Sequence, residues 1–452
     1  MTISAIQRFT STALRRAAVG LLGAGSLILP AAAVAQDADP DRQWGQWRGP
    51  AATGASDTAT PPLRWGESEN VRWKIEIPGR GIGSPVIWGD RLFLTTAIPV
   101  GVEAEAAHQP RGGQTPFGPH RFVVMAIARS NGSVLWKRTV REEIPHEPTH
   151  GENGSWASNS VATDGDRVFA YFESRGLFAF DLDGNALWEK DFGDKSMRNQ
   201  FGEGSTPVLY DDRLVLVWDH IGGQSFVAAL DTATGAELWR VNRDEIDTWA
   251  TPLVVAAPDG AQVVVPGMER LRSYALSDGS VVWESDGLTM NPIPSPVSAD
   301  GLVIAMSGYR GNDLKAIRVA GAMGDITHTD SIVWELDRDT PYVPSPLLYD
   351  GILYFLKTNS GILSAFEAET GAPLFERQRL QTVRNVFASP VAANGRVYVV
   401  GRDGTTVVIR HGSTFEILGS NSLDDHFDAS PALVDNELYL RGHRYLYSLG
   451  VK

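Results

Sequence analysis

The sequence predicts an all-β fold, an eight-bladed β-propeller of four-stranded antiparallel blades. Three observations predict it. The stretch from Gly204 to Val241 reads as four short strands joined by turns. Its signatures recur in eight copies along the chain. The last copy lacks one strand, and a spare strand stands near the other end. A lone four-stranded meander cannot bury both of its faces, and a repeat period of ~40–50 residues is a mark of propeller blades.

In that reference unit the strands are Thr206–Tyr210, Leu214–Trp218, Phe226–Leu230 and Glu237–Val241. They are rich in β-branched and aromatic residues and are bounded by Asp, Gly and Thr. Each unit opens on a small residue, Pro and an apolar residue. This motif stands at Ser84-Pro85-Val86, Thr206-Pro207-Val208, Thr251-Pro252-Leu253, Ser295-Pro296-Val297, Ser345-Pro346-Leu347, Ser389-Pro390-Val391 and Ser430-Pro431-Ala432, with a degenerate copy at Asn159-Ser160-Val161. Successive motifs lie 41–50 residues apart, except for a first interval of 75 that contains an insert. The first turn of every unit carries Asp, Asn or Gly, as in Gly89-Asp90, Asp300-Gly301 and Asn394-Gly395. Two-residue hairpin turns need positive φ, which these residues tolerate. Gly-x-x-x-Trp marks the last strand at Gly132/Trp136, Gly184/Trp188, Gly235/Trp239 and Gly279/Trp283. Trp334 ends a longer version, and Phe375 and Phe415 stand where Trp is expected in the next two units.

Taken in order, residues 1–35 read as a secretory signal. Arg8, Arg15 and Arg16 precede an apolar run from Ala17 to Leu29 and the small residues Ala33-Val34-Ala35. Residues 36–66 read as an extension that packs on the propeller, with Trp44 and Trp47 expected to cap a hydrophobic face. The propeller is assigned to residues 67–452. Strand 71–77, which carries Trp73, has no blade in front of it, whereas unit 430–449 has only three strands. Joining the two closes the ring and leaves only short strand edges. Blade one, Ile82–Val140, carries an insert loop at about residues 98–120. Blades two to seven end near Phe192, Val241, Ser285, Leu336, Arg377 and Leu418, and blade five holds a small insert at Ala320–Asp330.

Composition narrows the function. The 40 basic and 54 acidic residues include three Arg and no acid in the leader, so the mature chain carries a net charge of −17. That balance argues against a nucleic-acid or anionic-membrane partner, and no stable membrane insertion is expected after signal cleavage. The chain has no cysteine, hence no disulfide frame, thiolate nucleophile or cysteine-ligated metal. A periplasmic or secreted location follows from the leader.

The run Ala229-Leu230-Asp231-Thr232-Ala233-Thr234-Gly235-Ala236-Glu237-Leu238-Trp239 resembles the tryptophan-docking repeat of the quinoprotein (PQQ) β-propeller superfamily. The likeness runs from about Trp65 onward. That superfamily includes PQQ-dependent dehydrogenases and BamB-type outer-membrane assembly scaffolds. Trp44-Gly45-Gln46-Trp47-Arg48-Gly49-Pro50, with Phe387-Ala388-Ser389-Pro390, is similar to a secreted PQQ-like-repeat group whose members mostly lack an assigned activity. The resemblance implies the scaffold. The adjacent cysteines of the dehydrogenases and the lipid-anchoring cysteine of BamB-type proteins have no counterpart here.

In a propeller, the loops entering the innermost strands and those joining strands two and three share one face. In this chain that face holds His146, His150, Glu152, Asn199, Glu203, Asp219, His220, Trp249, Arg270, Tyr309, Arg310, Tyr342, Asn385, Arg402, His426, Arg441 and His443, including five of the nine histidines. The opposite turns are mostly Asp, Asn and Gly. Binding groups gather on loops held by a rigid scaffold. Three readings compete. A metal site would use His146, His150 and His220 with Asp219 or Glu152. A PQQ site with calcium would take oxygens from Glu203, Asn199 and Asp219 and a floor from Trp249 or Trp156. A docking face for a protein or glycan partner of the cell envelope would use Arg270, Tyr309, Arg310, Tyr342 and Arg402 for hydrogen bonds and stacking. The docking face ranks first, as a binding or scaffold module without catalysis or cofactor. A PQQ- or metal-dependent periplasmic oxidoreductase on the same face is the alternative.

Overall fold

The computed structural model describes residues 39–101, 118–151 and 154–451. The predicted leader and Glu152 lie outside these residues, as does most of the predicted insert loop. Eight sheets form the eight blades of a propeller. Six have four strands, and two gain a fifth. Blade three runs from the channel outward as Val208–Tyr210, Arg213–Trp218, Ser225–Asp231 and Glu237–Arg243, all antiparallel. Its two middle strands are buried almost throughout, because both of their faces meet a neighbouring blade. Its outer strand alternates in exposure, as an edge with one wetted face should.

The ring closes as the spare strand predicts. Val71–Glu76 pairs antiparallel with Tyr445–Gly450, Val71 opposite Leu449 and Glu76 opposite Tyr445. Across the seam, Arg129 of blade one donates from Nε to Glu437 Oε2 at 2.8 Å and to the Tyr439 hydroxyl at 2.9 Å.

The docking tryptophans join neighbouring blades in a common way. Indole Nε1 donates to a carbonyl of the following blade from Trp73 to Arg129, Trp136 to Leu182, Trp188 to Thr232, Trp239 to Leu276 and Trp334 to Ala368, at 2.8–3.0 Å. Each ring lies against a glycine of that blade, and a Cβ on Gly279 would stand 2.6 Å from Trp239. Trp283 departs from the pattern. Its Nε1 donates within its own blade, to Gln262 Oε1 at 3.0 Å. The insert predicted at Ala320–Asp330 is the reason: Gly324–Asp325 pairs in parallel with Trp283–Glu284 and becomes a fifth strand on blade four.

The recurrent Ser or Thr before each proline has a shared role. At seven of the eight openings its backbone N–H donates to a hydroxyl of the next blade: Ser84 donates to Ser160 Oγ, Ser160 to Thr206, Thr206 to Thr251, Thr251 to Ser295, Ser295 to Ser345, Ser345 to Ser389 and Ser389 to Ser430. These seven bonds, 2.8–3.3 Å long, circle the channel. One link is open, because Ser84 Oγ has no hydrogen-bond partner.

Candidate functional site: a blind cup at the channel mouth

Residues 44–60 run across the channel on the side of the first turns. Trp44 pairs with Ile87 of blade one. The Thr163 N–H of blade two donates to Gly45 O, and that of Leu209 in blade three to Gln46 Oε1. Arg48 is 2% exposed and donates to Pro346 O at 2.6 Å and Pro390 O at 2.7 Å. Ala55–Ser56 adds a parallel strand to Val391–Ala393. Trp44 is buried packing, but Trp47 faces the channel and donates from Nε1 to Ser295 Oγ at 3.2 Å. This strap gives the channel a floor, and a cavity of about 220 Å³ stands above it.

The walls follow a rule set by strand alternation. The residue two before each opening hydroxyl position lines the cavity: Ile82, Ser158, Gly204, Trp249, Ile293, Val343, Phe387 and Asp428. Side chains two apart share a face of an extended chain. Phe201, Glu203, Asn291 and Tyr342 complete a cup whose aromatic walls stand over the ring of Ser and Thr hydroxyls.

Of the residues predicted for this face, four line the cup: His150, Glu203, Trp249 and Tyr342. Trp249 is held by Nε1 donating to Gly202 O at 2.7 Å. Tyr342 stacks on Tyr309, with centroids 4.7 Å apart and planes at 22°, and Arg310 lies over Tyr309 at 5.4 Å. Arg402 and His443 stand behind the cup and hold Asp428, at 2.9 and 2.8 Å. His426 is exposed and tilted against His443 at 5.7 Å. Asn385 is exposed and accepts the Arg402 N–H through its carbonyl. Arg441 is buried beneath Gly83, to whose carbonyl it donates at 3.3 Å. Arg270 lies away from the cup and pairs with Asp325 at 3.5 Å.

Several buried acids beside the cup are matched by buried bases, whereas Arg48 and Arg441 donate to backbone carbonyls. Glu173 and Lys195 form a fully buried ion pair. Glu173 also accepts from the Asn159 amide at 2.8 Å and the Ser205 N–H at 2.9 Å. Burial alone would lower Lys195, but Glu173 beside it holds the ammonium above its usual value. Ser174 donates to Glu203 from its hydroxyl and its N–H. Burial, then the Glu173 charge, pushes the Glu203 carboxyl up to about 8. Asp219 accepts two bonds from Arg243 Nε, at 2.9 and 3.1 Å, yet burial still raises it. Asp428 is held below the usual range, because His443 and Arg402 outweigh its burial.

The donors do not fit a metal-held quinone. The three oxygen donors predicted for calcium do not converge: Asp219 is committed to Arg243, Glu203 to Ser174, and Asn199 sits exposed on a turn at φ 55°. Among the described residues, no three His, Asp or Glu side chains form a group able to hold a metal ion. His146 uses both ring nitrogens on Lys195 O and Arg175, His220 Nδ1 accepts the Gly222 N–H at 3.2 Å, and His150 packs on Phe201.

Fold and site together define a β-propeller with tryptophan-docked blades and a strapped, blind channel. The sequence matches the family described as "Outer membrane protein assembly factor BamB" over residues 120–376 and 223–441. This is more than half of the chain, which therefore belongs to that BamB-type, PQQ-like propeller family. It is 25% identical to outer membrane protein assembly factor BamB of Salmonella typhimurium, in an alignment covering 53% of this chain and 71% of that protein. Among solved structures it is similar to BamB from Moraxella catarrhalis, with TM-score 0.56, 15% identity and coverage of 84% and 96% of the two chains. It is also similar to a quinohemoprotein alcohol dehydrogenase from Comamonas testosteroni, with TM-score 0.60, 12% identity and coverage of 91% and 81%. At such identities the structural likeness is one of fold.

Proposed function

We propose that this protein is an exported scaffold of the cell envelope that holds a protein partner on its channel-mouth face. One observation carries the reading: the Arg310–Tyr309–Tyr342 stack stands at the rim of a cup with aromatic walls, beside which Asp219 and Asp428 are already paired. Rigid aromatic and arginine groups next to a desolvated pocket are what binding hot spots are made of. Membership of a family described by an assembly factor supports a protein partner over a glycan. The leader supports export, and no helix among the described residues is long and apolar enough to cross a membrane.

The test is a photo-crosslinking residue at position 310 in living cells, with position 300 on the opposite face as control. A discrete envelope-protein adduct from 310 alone is the expected result. Equal adducts from both positions, or none from either, would refute the docking face. Native mass spectrometry with PQQ and calcium checks the oxidoreductase alternative. A stoichiometric mass increase there would favour an enzyme.

A further inference from the structure

We infer that the channel cup is a binding site for one indole-class side chain, a tryptophan presented by the partner on an extended segment. The inference deepens the docking reading and rests on it.

Asn291 points to the chemistry. It is 1% exposed, lines the cup and sits at φ 55°, a conformation that side-chain-bearing residues adopt sparingly. Its Oδ1 accepts from no described residue. A buried amide oxygen left without a donor is costly, so the site asks for an N–H or O–H from its occupant. Size points to a fused ring. The cavity is about 220 Å³, against the ~150 Å³ of an engineered apolar cavity that holds benzene.

The walls select a flat neutral group over a charged one. Phe201, Trp249, Phe387 and Tyr342 offer ring faces and edges. Asp428, the ionised wall group, is already matched by Arg402 and His443. The protein also supplies a precedent, since the hydroxyl ring below the cup already takes the Trp47 indole, N–H to Ser295 Oγ. An indole entering from the mouth would stack on the same aromatic walls and, with the Asn291 amide turned toward it, donate its N–H to Oδ1.

The experiment is saturation-transfer NMR on the purified protein with three probes: N-acetyltryptophanamide, N-acetylphenylalaninamide and methyl glucoside. Tryptophanamide should bind saturably. The phenylalanine analogue, which lacks the side-chain N–H, should bind about tenfold more weakly. Asn291→Ala should erase that difference. Val343→Trp, which fills the cup while leaving Asn291 intact, should abolish binding of both. Preference for the glucoside, no saturable tryptophanamide binding, or binding indifferent to Val343→Trp would overturn the inference. Its failure is separable from that of the docking reading. Crosslinks at position 310 without tryptophanamide binding would sink the cup inference alone. Tryptophanamide binding without crosslinks would sink the docking reading and leave an indole site.

Discussion

Trp47 Nε1 donates to Ser295 Oγ at 3.2 Å, which ties a residue ahead of the first blade to the opening of the fifth. The same oxygen accepts the Thr251 N–H at 3.3 Å, so one hydroxyl serves both the inter-blade ring and the strap. Trp47→Ala should therefore destabilise the fold by about 2–3 kcal/mol, below the range for a fully buried tryptophan because Trp47 is only partly buried. Trp47→Phe keeps the ring and loses the N–H, and should cost about 1 kcal/mol. Denaturant unfolding of the two variants checks this order. Equal stability of Trp47→Ala and wild type would show that the strap does not brace the ring.

The hydroxyl ring makes a paired prediction. Ser345→Ala removes the acceptor of the buried Ser295 N–H, 2.9 Å away, and should cost about 1–3 kcal/mol. Ser84→Ala removes a hydroxyl that has no partner and should be neutral within about 0.5 kcal/mol. The two sites are equivalent in sequence motif and similarly buried, at 3% and 2% exposure. Equal losses at both would mean that the ring bonds do not set the difference.

Glycine substitutions separate backbone strain from tryptophan docking. Gly279 and Gly321 both have positive φ, 77° and 81°. A Cβ at Gly321 meets nothing, so Gly321→Ala should cost only the left-handed penalty of ~1–2 kcal/mol. A Cβ at Gly279 lies 2.6 Å from the Trp239 ring, and overpacking adds about 1–3 kcal/mol. Gly279→Ala should also shift near-ultraviolet circular dichroism as the indole moves. An equal cost at both glycines would argue against docking as a source of stability.

Much of this architecture is legible in the sequence because each blade repeats the same solution. Ser-Pro openings, Asp-Gly turns and Gly-x-x-x-Trp strands mark the blades, and the unmatched 71–77 strand announces the closure. Three features escape such reading. Gly324–Asp325 completes a sheet through a parallel pairing that no local motif encodes. Trp47 looks like Trp44 in sequence, yet one faces the channel and the other the packed interior. Phe387, Ile293, Val343 and Asp428 carry no motif that marks a site, although their place two before each hydroxyl position puts them on the channel side. The predicted metal and quinone donors fail to converge because ion pairs of the scaffold, such as Arg243 with Asp219 inside blade three, use the same residue types.

Glu203 gives the fold a pH dependence of definite sign. Its carboxyl is pushed up from 4.5 to about 8, first by burial and then by the neighbouring Glu173 charge. In the unfolded chain it releases its proton near 4.5, whereas in the fold it keeps the proton until about 8. Between those values the folded state binds more protons, so stability falls as pH rises through this window and levels off above it. At ~1.4 kcal/mol per pH unit, the loss is a few kcal/mol at most. Glu203→Gln mimics the neutral acid: its Oε1 can accept the Ser174 N–H, and its amide can donate to Ser174 Oγ. Other carboxylates titrate in both proteins, so the informative quantity is the stability of Glu203→Gln minus that of wild type. That difference should grow from pH 5 to pH 8 in denaturant unfolding. A flat difference would mean that Glu203 ionises normally inside the fold, and that Lys195 neutralises both neighbouring carboxylates.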